Sequence, residues 1–96
     1  MRIIALEVDK SEATADEFKP LLADEARKVW ELYQEQIIRE MYFRAERKAA
    51  VLILECQGIE DAKRRLSELP LVAAGLIDFD LIPLVPYPGL TRLFAD

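Results

Sequence analysis

Apolar and polar positions alternate along the chain in two different periods. "RIIALEV" (2–8) has period two and reads as a strand, with Ile4, Leu6 and Val8 on one face and Ile3, Ala5 and Glu7 on the other. After the polar "DKSEAT", the run "TADE" (14–17) has capping-box form, in which Thr14 and Glu17 each satisfy the other's backbone N–H. Pro20 interrupts that helix after about one turn and opens the main one, which is expected to run to Gln36. Leu22, Ala26, Val29, Trp30 and Tyr33 fall on one helical stripe and are expected to face the core. Residues 37–44 and 50–56 form a hairpin around "AERKA". "GIEDAKRRLSELP" is a second helix, with Ile59, Ala62, Leu66 and Leu69 at helical spacing and Pro70 as its stop. "LIDFDLIPL" (76–84) is a fourth strand, and the tail "VPYPGLTRLFAD" is expected to end in one helical turn.

The order β-α-β-β-α-β predicts an α+β, ferredoxin-like domain over residues 1–96, with an antiparallel sheet carrying both helices on one face. The first and third strands are expected to be neighbours and parallel. A turn centred on Arg47 sets Arg39 opposite Glu55, Met41 opposite Ile53 and Phe43 opposite Val51. Glu55 and Arg39 then make a rim ion pair, and Glu7 lies at the same end. In this register Met41, Phe43, Val51, Ile53, Ile3 and Ala5 make one broad apolar face. Ile4, Leu6, Val8, Leu52 and Leu54 meet the helices, with Glu40, Tyr42 and Arg44 projecting among them. A one-residue slip would reverse one strand's faces.

Composition narrows the chemistry. A chain of 96 residues buries only about 60–65% of its unfolded surface, yet 52% of its residues are apolar, a surplus that points to burial against a second copy. The net charge of −5 disfavours nucleic acid as a partner. With no histidine, imidazole bases, Ser-His triads and the usual zinc sites are excluded, and three glycines do not make a phosphate-cradling loop. Asp78 and Asp80 point the same way but are too few ligands for a metal, so neither metal nor cofactor is expected. The single cysteine, Cys56, sits in an apolar strand pattern and reads as a buried structural thiol. No apolar run reaches membrane-spanning length, and a soluble cytoplasmic protein without membrane partners is expected.

Acid–base chemistry is left to Asp, Glu, Tyr, Lys or Cys. Glu40, Tyr42 and Arg44 among leucines must pair with one another, reach solvent at the sheet edge, or line a pocket, because a stranded charge costs several kcal/mol, on the order of 3–5. In the enzyme reading Glu40 transfers a proton with Tyr42 as its catalytic neighbour, Arg44 holds a substrate carboxylate, and Trp30 and Tyr33 form an apolar wall. In the alternative reading the chain is a non-catalytic dimeric module, and the same charges guard an edge strand.

"YFR" ending at Arg44, "VLILE", and "ELPL" followed by the acid-bearing "LIDFDLIPL" resemble the muconolactone isomerase-like family of the dimeric α+β barrel superfamily. The resemblance implies a ferredoxin-like subunit whose sheets pack face to face in a homodimer or higher homo-oligomer. It also implies a proton shift on a small organic acid or lactone without cofactor or metal. The family's histidine-bearing strand pattern is absent here, and the stretch between "LPL" and the last strand is longer. Arg44 is the residue that carries over.

Overall fold

The computed structural model describes residues 1–94. Its elements run β1 (Arg2–Asp9), α1 (Ala15–Phe18), a 3-10 turn (Lys19–Leu21), α2 (Leu22–Gln34), β2 (Ile38–Phe43), β3 (Ala50–Glu55), α3 (Ile59–Leu66), α4 (Pro70–Ala73), β4 (Ile77–Pro83) and a 3-10 turn in the tail (Gly89–Phe94). The sheet order is β2-β3-β1-β4. β1 and β3 are neighbours but antiparallel, not parallel as expected. The crossover through α2 returns β2 parallel to β1 one strand away, so the hairpin partner that fills the gap must run the opposite way.

The hairpin register departs from the expected one by a residue. Met41 pairs with Leu52, Tyr42 with Val51 and Phe43 with Ala50, while Ile38 pairs with Leu54, leaving a β-bulge at Arg39. The extra residue lets both Ile38 and Met41 face the helices despite being three apart. It also moves Met41 and Phe43 to the helix side and Glu40 and Tyr42 to the open side of the sheet. β1 is inverted too: Ile3 and Ala5 are fully buried under the helices with their partners Leu54 and Leu52. Ile4, Leu6 and Val8 lie on the open side with Val51 and Ile53. The small Ala5 lets the helices come close, whereas the bulkier set forms an open apolar surface. Glu55 meets the N-terminal ammonium at 2.9 Å and Arg2 at 3.7 Å, and Arg39 Nε donates instead to the Gln36 carbonyl at 2.6 Å. Glu7 is at the opposite end of β1 from Arg2, which pairs with Glu55.

Helix α2 is turned by about one residue from its expected orientation. Leu32 is buried, Leu21, Glu25, Lys28 and Val29 are half-buried, and Leu22, Trp30 and Tyr33 are exposed. Leu32 joins Ile3, Leu54, Ala62, Leu66 and Leu69 in the core between sheet and helices. α2 ends on Gln36 in the left-handed region (φ 65°), with the Ile37 N–H donating to the Leu32 carbonyl at 3.0 Å. Thr14 begins α1 as expected, but its side chain caps nothing; the Glu17 N–H bonds the Thr14 backbone carbonyl at 3.0 Å. α3 stops at Leu66, and Pro70, expected to end it, occupies the first turn of α4. Cys56 is buried. The molecule measures 61 × 28 × 20 Å with a radius of gyration of 15.9 Å, against about 12.5 Å for a globule of this length. The tail's apolar side chains are exposed. No helix among the described residues is long and apolar enough to cross a membrane.

Candidate functional site

The residues expected to form one pocket fall in two places. Glu40 and Tyr42 are together on the open face of β2, where the Tyr42 hydroxyl donates to Glu40 Oε1 at 2.6 Å. That hydrogen bond to the carboxylate holds the phenol above its ordinary range, with the charge of Glu40 adding to the rise. Arg44 follows at the end of the strand; its N–H donates to the Ala49 carbonyl at 2.9 Å and its guanidinium engages Glu46. Trp30 and Tyr33 are elsewhere, stacked on the outer flank of α2 with ring centroids 5.7 Å apart. The slip of β2 and the rotation of α2 together separate the aromatic wall from the acid and the phenol.

The space between helices and sheet holds a different pair. β1 and β3 stop pairing after Leu6 and Val51, and the next residue, Glu7, replaces the ladder with its side chain: Oε1 accepts the Ala50 N–H at 3.0 Å. From the inward side of α2, Glu25 accepts the Leu71 N–H at 2.9 Å, at the start of α4. Both carboxylates are half-buried. Burial pushes the Glu25 carboxyl up, the Leu71 N–H pulls it back more weakly, and the negative charge of Glu7 adds to the rise. Arg44 is level with this pair, since its neighbour Phe43 pairs with Ala50, but it continues the open face of Tyr42, where Glu46 holds its guanidinium. A carboxyl raised by burial with a second carboxylate nearby suits proton transfer.

Sequence reasoning missed Glu7 and Glu25. The signal for Glu25 was an alternative stripe, Leu21, Glu25, Val29 and Leu32, one step round the helix from the more apolar one. An acid in the middle of such a stripe marks either a wrong face or a buried carboxylate.

Two open clefts lie outside this layer. One is lined by the loop residues Asp9, Lys10, Ser11, Glu12 and Ala13 with Phe18. The other contains Cys56, Asp61, Arg64 and Arg65. In the second the cations are already matched: Arg64 pairs with Asp61, and Arg65 with Glu35 and Glu68. Burial raises the Cys56 thiol, with the charge of Asp61 adding to it, which suits a structural role and not a nucleophile.

No family model and no curated protein matches the sequence. Among solved structures, the crystal structure of muconolactone isomerase is similar over 92% of this chain and 92% of that chain, with a TM-score of 0.74 and 21% sequence identity. The chain therefore has the fold of muconolactone isomerase.

Proposed function

We propose that the protein binds a small organic acid or lactone at the helix–sheet layer and moves a proton within it, without metal or cofactor. The observation that carries this reading is Glu25, half-buried beneath α2 with its carboxyl raised by burial. A base of this kind removes a proton from the carbon beside a carbonyl and returns it at another carbon. The net change is an isomerisation, and no electrons are lost or gained. Glu7 keeps negative charge close, and Arg44, exposed at the same strand end, is to exchange Glu46 for a substrate carboxylate and turn its planar fork round the strand end toward it. The fold shared with muconolactone isomerase supports this class of substrate over others.

The test is solvent deuterium exchange into a panel of small unsaturated lactones and their acids, followed by NMR. Wild-type protein is expected to catalyse exchange. Glu25→Gln is expected to lower the rate by roughly 10²–10⁴-fold, the usual contribution of a positioned base, while remaining folded. Exchange unaffected by Glu25→Gln would overturn the assignment.

The second reading, a non-catalytic dimer, draws on the open sheet face, where Ile4, Leu6, Val8, Val51, Ile53 and Ile82 leave an apolar surface rimmed by Asp78, Asp80 and the Glu40–Tyr42 pair. Pairing of two such faces fits both readings, so a homodimer is part of the proposal in either case. Wild-type protein that exchanges no proton in any of these compounds, and that none of them stabilises against heat, would favour the second.

A further inference from the structure

Apart from the sheet face and the exposed Met41 and Phe43 of β2, two apolar surfaces among the described residues stand open, and their chemistry is complementary. One is the outer flank of α2. Trp30 is 55% exposed and Tyr33 43%, and their rings stack at 28° to form a flat aromatic platform. The other is the tail. From Val85 onward its apolar side chains are exposed, from 63% at Leu90 to 85% at Phe94.

The tail has the form of a ligand for such a platform. "VPYP" (85–88) bears no charge. Its prolines fix their own φ and hold the preceding Val85 and Tyr87 extended, so little entropy remains to be lost on docking. Proline-rich segments of this kind dock on aromatic-lined surfaces. The turn that follows is already shaped: Gly89 lies against the Tyr87 ring, and a Cβ there would run into it. The Thr91 hydroxyl closes the turn by donating to the Pro88 carbonyl at 2.8 Å.

Within one copy the tail does not cover its own platform, since Trp30 and the tail's apolar side chains are both exposed. It leaves the sheet beside β1, where the Leu84 N–H donates to the Arg2 carbonyl at 2.9 Å, and β4 is the edge strand opposite β2. α2 packs against β2 and α4. The extended stretch 84–88 spans roughly 17 Å and the 3-10 turn after it about 12 Å more, a reach on the scale of the 28 Å and 20 Å dimensions of a neighbouring copy.

We propose that the tail is an arm whose proline-rich segment docks on the Trp30–Tyr33 face of a second copy of this chain. Each copy then gives one arm and can receive one, through a contact distinct from the pairing of sheet faces.

Trp30 is the chain's single tryptophan and reports on its own cover. Three full-length proteins are compared by fluorescence: wild type, the arm variant Val85→Asp/Leu90→Asp, and the tryptophan-free Trp30→Phe. The arm variant is expected to emit to the red of wild type. An excess of Trp30→Phe protein, which has an intact arm and keeps an aromatic seat, should shift the arm variant's emission back to the blue. Identical emission from wild type and the arm variant would show that nothing covers Trp30 and overturn the proposal. A red shift in the arm variant that Trp30→Phe protein fails to reverse would place the arm on its own helix and overturn it equally.

Discussion

Glu25 feels two opposing influences on one proton. Desolvation beneath α2 favours the neutral acid, and the Leu71 N–H favours the anion. Desolvation is the larger, so the folded chain holds this proton more tightly than the unfolded chain does. Below the unfolded carboxyl value of about 4.3 both states carry the proton, and the burial is harmless. As pH rises from there towards the raised folded value, the unfolded chain ionises first and stability falls. Glu25→Gln is therefore expected to be more stable than wild type at neutral pH, with the difference vanishing below about pH 4. Thermal midpoints measured across pH 3–8, a range spanning the usual carboxyl values, check this. Surface carboxylates act in the other direction. Glu55 is lowered by its hydrogen bond with the N-terminal ammonium, Asp61 by the Gln57 N–H and Glu68 by Lys28. Their support is present above the unfolded carboxyl value and is lost as pH falls through their lowered folded values. Wild-type stability should therefore peak in the mildly acidic range, while Glu25→Gln keeps its plateau to neutrality.

At the scale of elements, the sequence disclosed the order of strands and helices far better than the faces they present. Periodicity located β1, β2, β3 and β4 within a residue or two, because a run such as "VLILE" cannot satisfy a helical stripe. It did not locate the bulge. Nothing in "IIREMYF" distinguishes a residue inserted into the ladder from one continuing it, since the bulge shows only in which partners Ile38 and Met41 take across the sheet, Leu54 and Leu52. The orientation of α2 was obscured for a related reason. Choosing the most apolar stripe assumes that all apolar surface is buried within one chain, and Trp30, Tyr33 and Leu22 break that assumption. Arg44 was read at the correct strand end, but Glu25 was hidden because its stripe includes an acid. One strained position can be relieved without touching the site. Gln36 closes α2 at φ 65°, where a side chain is disfavoured and glycine is not. Gln36→Gly is expected to raise stability by roughly 0.5–1 kcal/mol, read from the shift in denaturation midpoint at unchanged slope.

For the whole molecule, the open sheet face is the largest consequence of the β1 inversion. Three bulky side chains of β1 that would fill a monomer's core, Ile4, Leu6 and Val8, instead face outward beside Val51 and Ile53. Leu6→Glu places a charge at the centre of that face and is expected to weaken self-association by about 2 kcal/mol, some thirtyfold in Kd, while leaving the subunit folded. Sedimentation over a concentration series measures it. The bulge at Arg39 bears on the same question from the sheet's rim. Bulges twist an edge strand out of the flat geometry another strand needs, and the opposite edge, β4, finishes on Pro83, which has no N–H to offer. A ladder of subunits growing sideways, edge upon edge, is thus obstructed at both ends. Crowded solutions of this protein should therefore not fill with fibres grown strand edge to strand edge.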